Sequence, residues 1–580
     1  MFLIDQQFQY TKLTMINKTL NRFSKSQLIL ALILLLGFFL RIYNINWDSN
    51  AQMHPDERAI VMSTLSLNFP DSFSIFLSPD SPLNSHFFAY GGLPLYLLRI
   101  TGVIAGSISA DFNQYGGIQI VGRLLSALAD IGTIFIIYKI AKKTSGNKLA
   151  IFASLAYSLF VFPIQTSHFY AVDILLTFFI TLTLYRCIKY IDKPTFLNTI
   201  LLALSFALAT STKISAAVLL FPISLAFIFS HWKSIDRKTI LNSLIKPINL
   251  KFLFSTFLFF VSFLFFNLIF QPYAFIDYKS FFERTLFESQ MTKDPYVFPY
   301  TLQYVGKIPY FYEIKNAALW GIGPFMFMLL CAGLILLTFK AKKEINKKAL
   351  VLVSFALIYY LIVGRFAVGW MRYMLPLYPI FAICVGYSVQ FFLTKIKSIG
   401  HPPLRICVQL LFIIFLLAWP FSFMQIYTRS NTRIQADLWI NKNIPSESTI
   451  AIEHWDDRLP ITGQTKYNFE ELPLYEIPDD RTKWEGIVAS LIRADYIILA
   501  SNRLYTPLQK LNDCKKFKKC YPLASQYYGD LFSGRLKFKK IAEFTSYPTL
   551  PFLNVQFPDQ SADESFTVYD HPKVTIFKKI

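Results

Sequence analysis

The stretch His54-Pro55-Asp56-Glu57-Arg58 sets two carboxylates and an imidazole shortly after the first long apolar run of the chain, residues 28–43. A carboxylate within hydrogen-bond reach of a hydroxyl can take its proton as a new bond forms. Asp56 is therefore the candidate base, Glu57 a second catalytic candidate, and His54 a candidate substrate contact. The same pattern also makes an ordinary helix start, because Pro fits the first helical position and acids complement a helix N-terminus. Other ionisable residues stand at the ends of later apolar runs: His168 beside Tyr170, then Asp173, Lys213, Arg365 and Arg372, the last followed by Tyr373. Each has a plain explanation alone. Asp173 could cap a helix, Lys213 could snorkel, and Arg372 could anchor an interface. Acids and bases at membrane depth are costly, however, and mark functional sites when they accumulate.

The elements that must position these groups are membrane spans. Of 580 residues, 54% are hydrophobic and only 16% charged, too apolar for a soluble protein of this size. The net charge of +21 would suit nucleic acid. The Lys and Arg lie mostly in short loops between apolar runs, however, as on the cytoplasmic side of a membrane protein, so membrane lipids and not nucleic acid are the expected surroundings. Lys12, Lys18, Arg22 and Lys25 put the N-terminal segment in the cytoplasm, and the first span then delivers residues 54–58 to the outer face. No small-residue cleavage site follows that span, so it reads as an anchor.

Eleven spans are expected. The first three are 28–43, 122–140 and 149–163. The fourth starts at Asp173, the fifth covers 196–209, and the sixth follows Lys213. The seventh, eighth and ninth cover 252–270, 317–339 and 349–363. The tenth starts near Arg372 and the eleventh covers 406–426. Two long outer loops result, 44–117 and 271–315, the first with interfacial helices at 57–69 and 93–104. An odd number of spans leaves residues 428–580 outside as a small α/β domain, after a membrane domain of residues 1–427. Its expected elements are helices at 434–442 and 484–493, strands at 449–453 and 495–500, and a terminal hairpin of 566–569 with 574–577. Cys187, Cys331, Cys384 and Cys407 lie in or beside apolar runs and read as packing residues. Cys514 and Cys520 flank a basic run, and both a disulfide and two free thiols are open readings.

At this point the chain resembles a family. His54-Pro55-Asp56-Glu57 after the first span resembles the Asp-Glu signature of the GT-C glycosyltransferases. Tyr170-Ala171-Val172-Asp173 opening the fourth span is similar to that family's second acidic position. Thr212-Lys213 and Arg372-Tyr373-Met374-Leu375-Pro376 match as well. The nearest branch is glycosyltransferase family 39, with the protein O-mannosyltransferases and the aminoarabinose transferases. The resemblance covers residues 27–427 in element order. It implies a mainly α polytopic membrane protein of GT-C type, with the C-terminal α/β domain extracytoplasmic, in the plasma (inner) membrane. It implies a polyprenyl-phosphate sugar donor and a lipid, glycan or protein acceptor, usually with inversion. Asp56 would be the base, Lys213 and Arg372 would meet the leaving phosphate, Asp173 would orient donor or acceptor, and His168 would hydrogen-bond either one.

Two departures limit the resemblance. The aminoarabinose transferases place a Lys before a Pro in the first outer loop, where this chain reads Ala89-Tyr90-Gly91-Gly92-Leu93-Pro94. The C-terminal domain is not the repeat-bearing domain of eukaryotic protein mannosyltransferases. Glu453-His454-Trp455-Asp456-Asp457 bears a superficial likeness to the Trp-Trp-Asp motif of oligosaccharyltransferases, but lacks the second Trp and the Tyr-Gly. It reads as a strand end with an acidic turn. No cofactor is called for with certainty. A divalent cation could bridge Asp56 and Asp173, though no full ligand set accompanies them, so no metal ligands are assigned. The alternative reading is a polytopic transporter or flippase, which also lines cavities with charge. No internal repeat supports it, and the charges sit at span ends.

Overall fold

The computed structural model describes residues 24–231, 250–341 and 346–580. Lys12, Lys18, Arg22, Lys233, Arg237, Lys238, Lys342 and Lys343, which carry part of the expected loop charge, lie outside these residues. The chain is mainly helical. The helices that matter here are α1 (Lys25–Ile42), α2 (Pro55–Leu65), α3 (Leu93–Gly106), α4 (Ile118–Ser145), α5 (Asn147–Ser158), α6 (Val161–Ser167), α7 (Val172–Asp192) and α8 (Phe196–Thr210). They continue with α9 (Leu220–His231), α10 (Leu250–Phe270), α11 (Pro324–Ala341), α12 (Lys347–Val363), α13 (Tyr378–Lys397) and α14 (Pro402–Met424). Among the described residues, six segments, beginning at Lys25, Ile118, Val172, Leu250, Met371 and Pro402, are long and apolar enough to cross a bilayer. Helices α5 and α6, bent by 58° at their junction, make a seventh if taken as one span. The other expected crossings fall on shorter helices, such as α8 with 15 residues and α12 with 17. The protein is a multi-pass membrane protein.

Two features fix how the helices meet. Gly386 of α13 lies so close to α5 that an added Cβ would come within 2.8 Å of the Ala153 nitrogen. Small residues let helix backbones approach in this way where the hydrophobic effect between helices is absent. The second feature is a buried ion pair. Arg41 of α1 donates from Nε to Asp130 of α4 at 2.5 Å, while the Tyr157 hydroxyl of α5 donates to the other Asp130 oxygen at 2.7 Å. Unpaired, either charge would be costly in the bundle, so the pair pins three helices in one register.

The C-terminal region holds a five-stranded mixed sheet in the order β2-β1-β3-β7-β4. Its strands are β1 (Thr449–Glu453), β2 (Asn468–Leu472), β3 (Tyr496–Leu499), β4 (Phe538–Phe544) and β7 (Val574–Lys579), with β5 (Thr549–Leu550) and β6 (Val555–Gln556) as a separate ribbon. β1 runs parallel to β2 and β3, and β7 pairs antiparallel with β3 and β4. Helices Thr432–Asn443, Arg481–Arg493 and Pro522–Phe532 complete the region. Cys514 and Cys520 are joined in a disulfide that closes the basic loop.

The expected terminal hairpin is corrected. Residues Glu564–Thr567 form a helical turn, started by Asp563 accepting from the Ser565 N–H at 2.9 Å. β7 finds its partners elsewhere. The apolar pattern of Phe566 and Val568 is real, but both are buried against the membrane bundle, where Phe566 packs on Trp320 and Phe423.

Between that turn and β7 sits His571, fully enclosed. Its Nδ1 is 2.5 Å from Asp570 and its Nε2 is 2.8 Å from Asp559. Burial alone would lower its pKa, but the two carboxylates outweigh burial and raise it to about 10. A pKa raised on folding adds stability that is complete below the unfolded value of ~6.5 and is lost as pH climbs through the folded value. His571→Asn should therefore lower the thermal midpoint most near pH 6. The difference from the native chain should shrink as pH approaches 10, which unfolding curves in one detergent across that range will test. A deficit independent of pH would mean that the imidazolium is not what holds this joint.

Candidate active site

Helix α2 begins with Pro55 at its first position, and His54 caps it: the Glu57 N–H donates to His54 Nδ1 at 3.3 Å. Successive residues on a helix point about 100° apart, so Asp56 and Glu57 face different surroundings. Glu57 is fully buried. Arg123 of α4 donates to its two oxygens from Nε and Nη2 at 2.9 and 2.6 Å. The same guanidinium donates from Nη1 and Nη2 to Asp48 at 2.9 and 2.7 Å, and lies 5.1 Å over the Trp47 ring. The Tyr170 N–H adds a bond to Glu57 Oε1 at 2.8 Å. Both Glu57 oxygens are thus spent on structure.

Asp56 turns the other way and pairs with Arg372. Arg372 Nε is 4.0 Å from Asp173, and Lys213 Nζ is 3.1 Å from the other Asp173 oxygen. The four groups form one chain of alternating charge: Asp56, Arg372, Asp173, Lys213. The elements behind them explain the convergence. Asp173 is in the first turn of α7, Arg372 is in the 3-10 turn Met371–Leu377 that leads into α13, and Lys213 precedes the 3-10 turn Ile214–Leu219. The Lys213 ammonium lies between the rings of Tyr373 and Tyr90, at 5.0 and 5.6 Å, where the ring faces favour a cation. Tyr90 can reach it because Gly91 docks against the turn before Lys213. The Gly91 N–H donates to Thr212 O at 3.1 Å, and an added Cβ would sit 1.9 Å from Ser211 O.

A small cavity of about 10 Å³, room for roughly one water molecule, opens beside this chain, lined among others by His54, Phe169, Asp173, Arg372, Ser565 and Tyr569. The His54 ring packs on Tyr569 and Phe169, with centroids at 4.1 and 4.6 Å. Burial, with Arg372 and Arg123 nearby, holds His54 well below its ordinary pKa, so the ring is neutral. Since Nδ1 accepts from the helix, Nε2 is assigned the proton.

Of the residues singled out from sequence, Asp56, Asp173, Lys213, Arg372, Tyr373 and His54 therefore come together. Glu57 is beside them but turned into the Arg123 cage. His168 bonds Ile164 O and Tyr43 O at 2.9 and 3.0 Å and stacks on Tyr427, and Tyr170 donates its hydroxyl to Pro94 O at 2.7 Å. Both brace the scaffold. Arg365 is exposed and outside the network. Among the described residues no group of three or more His, Cys, Asp or Glu could hold a metal ion. Asp56 and Asp173 are joined by a guanidinium, an arrangement that does not fit a divalent cation between them.

Sequence reasoning passed over Arg123 and Asp48, although an arginine inside a long apolar run is itself a signal. It also passed over Tyr90 as a partner of Lys213, and over Ser565 and Tyr569, which come from the far end of the chain.

Residues 114–260 match a family model described as dolichyl-phosphate-mannose-protein mannosyltransferase. No curated protein matches the chain in sequence. Among solved structures the chain is similar to the archaeal oligosaccharyltransferase AglB from Archaeoglobus fulgidus, in complex with an inhibitory peptide and a dolichol-phosphate. That likeness has 14% identity, 96% of this chain and 88% of that chain covered, and a TM-score of 0.48. It is also similar to ArnT from Cupriavidus metallidurans bound to undecaprenyl phosphate, at 12% identity, 83% and 94% coverage and a TM-score of 0.44. The S. cerevisiae protein O-mannosyltransferase Pmt1-Pmt2 complex bound to the sugar donor matches over 45% of this chain and 34% of that one, at 12% identity and a TM-score of 0.31.

The Arg123 cage yields a stability prediction. Arg123→Met leaves two buried carboxylates without their cation, and breaking a buried pair typically costs about 3–5 kcal/mol. Arg123→Lys keeps the charge but cannot bind both carboxylates bidentately, so it should fall between. Unfolding midpoints of the two variants in detergent will check the order. Equal midpoints for Met and the native Arg would remove the cage from its role.

Proposed function

We propose that the chain is a glycosyltransferase of the GT-C superfamily, family 39-like, a reading supported by the family match over residues 114–260, and that it moves a sugar from a polyprenyl-phosphate carrier to an acceptor hydroxyl. We place this on the outer face of the plasma membrane and assign inversion at the sugar carbon. The observation that carries the reading is the alternating chain Asp56–Arg372–Asp173–Lys213 beside a small cavity. Residues 1–427 then form the membrane catalytic domain, and residues 428–580 form a domain outside.

In this reading the acceptor oxygen attacks the anomeric carbon while the bond from that carbon to the carrier phosphate breaks. The electron pair leaves with the phosphate, and the acceptor proton goes to Asp56. One displacement at one carbon inverts its configuration. Charge grows on the departing phosphate, and a fixed guanidinium and ammonium stabilise it. Arg372 is the bidentate partner and Lys213 the point charge. Arg372 begins in contact with Asp56, so the two roles are coupled. An arriving phosphate draws the guanidinium toward itself and frees the Asp56 carboxylate to accept a proton. Asp173, held by Lys213, keeps the cations in place and presents its remaining oxygen to the sugar. His54 and Tyr373 line the approach.

Asp56→Asn should reduce transfer by roughly 10²–10⁴-fold, the usual worth of a positioned base, and should not weaken binding of the lipid donor. Asp173→Asn should be milder in rate and should keep α7 intact, because Asn also caps helices. Rates and donor affinities of both variants, measured in one detergent, decide the matter. Near-normal turnover by the Asp56 variant with loss confined to Asp173 would transfer the base to Asp173.

The outer location has its own test. A cysteine at Phe552, which is fully exposed in the C-terminal region, should react with an impermeant reagent added outside intact cells. A cysteine at exposed Asn346 should react only after permeabilisation. The opposite pattern would put Asp56 in the cytoplasm and end the proposal.

A further inference from the structure

The cavity beside Arg372 is closed on one side by residues that begin outside the bundle. The stretch 559–571 leaves the sheet region, enters the end of the helical bundle and returns to β7. Ser565 and Tyr569 line the cavity. The Tyr569 ring is 4.1 Å from His54 and 6.2 Å from Phe169, centroid to centroid, and is only 5% exposed.

Both flanks of Tyr569 are tied to the bundle side. Ahead of it, Asp563 accepts from the hydroxyls of Tyr304 and Tyr312 at 2.9 and 2.8 Å, and Glu564 accepts from Gln303 at 2.5 Å. Behind it, Asp570 accepts from Gln165 at 3.1 Å and from the Tyr427 hydroxyl at 2.7 Å. These anchors hold the ring in one place, as a substrate contact needs.

The nearby tyrosines Tyr304, Tyr312 and Tyr427 spend their hydroxyls on carboxylates. The Tyr569 hydroxyl has no hydrogen-bond partner among the described residues. Arg372 Nε, on the same cavity, is buried and has none either. Buried donors are normally satisfied, and a buried one beside a second unpaired donor on one small cavity calls for an acceptor that reaches both. A phosphate supplies acceptor oxygens only, and favours an arginine with a neutral donor beside it.

Building on the lipid-phosphate donor proposed above, we infer that Tyr569 is a further substrate-contact residue, its hydroxyl donating a hydrogen bond to the donor phosphate beside Arg372. The C-terminal region then completes the catalytic cavity, and the stretch 559–571 is the brace that positions Tyr569.

The test uses the full chain in detergent and three probes: polyprenyl phosphate, the matching polyprenol without phosphate, and inorganic phosphate as competitor. Tyr569→Phe keeps the ring against His54 and Phe169 and removes only the hydroxyl. It should weaken polyprenyl phosphate binding about ten-fold or more, as loss of a hydrogen bond to a charged group does. Polyprenol should bind both proteins alike. Inorganic phosphate should compete less well at the variant if the site reads phosphate itself. Equal polyprenyl phosphate affinity in Tyr569→Phe and the native chain would overturn the inference and leave the donor reading standing. No saturable binding of polyprenyl phosphate by the native chain would overturn both. Tyr569→Ala serves as a check on the brace: if it melts with the native chain yet binds polyprenyl phosphate as tightly, the inference also fails.

Discussion

The arginine at position 123, held inside the bundle between Asp48 and Glu57, is the constraint on which the site depends. A guanidinium there is costly unless every donor finds an acceptor, and two carboxylates meet it bidentately. The consequence is positional. Locking Glu57 fixes the rotation of α2 about its axis, and so fixes where Asp56 points. Glu57 also accepts the Tyr170 N–H, only three residues before Asp173. Both carboxylates of the alternating chain are therefore referenced to one buried side chain, from two directions.

The two charge clusters differ in kind. In the cage, three fully buried side chains meet at 2.6–2.9 Å, and nothing mobile reaches them. In the chain from Asp56 to Lys213 the Arg372–Asp173 contact is stretched to 4.0 Å, and side chains keep up to 25% exposure. A saturated cluster resists exchange. A stretched one, with an arginine shared between two acids, can trade partners when a third anion arrives. This contrast separates Glu57, held in the saturated cluster, from Asp56, held in the stretched one, although they are neighbours in sequence.

That distinction was not legible in the sequence. The motif announced two acids after a span, and the apolar runs with their basic loops announced the helical membrane body that carries them. Asp173, Lys213 and Arg372 could be gathered because each sits at a span end. Which of two adjacent acids meets Arg372 depends on a partner in another helix, and Arg123 was hidden within an apolar run. The surroundings of His168 and Tyr170 were hidden for the same reason: their polar atoms bond backbone groups brought near only in the fold. The terminal hairpin failed because a strand-like apolar pattern in 566–569 is satisfied by burial against the bundle. Tyr569 left no local signal at all, since its meaning comes from a ring some five hundred residues earlier, His54.

The last residue of the motif gives the C-terminal region its place in the argument. Arg58, one step beyond Glu57, reaches Asp457 at 3.4 Å, in the acidic turn after β1. Arg433 meets the same aspartate at 3.1 Å, and burial, which raises the Asp457 pKa, is outweighed by Arg433, Arg503 and Arg58, so the carboxyl stays below its ordinary value. The acidic turn thus serves as the seat for α2 on the sheet region. Five consecutive residues then divide the work of assembly. His54 forms the cavity wall with Tyr569, Pro55 starts the helix, Asp56 meets Arg372, Glu57 meets Arg123, and Arg58 meets Asp457. Because α2 is short and anchored on both sides, a shift of the sheet region relative to the bundle would move Asp56 and Tyr569 together. The cavity therefore lies at an interface, and its geometry depends on the two parts of the chain staying in register.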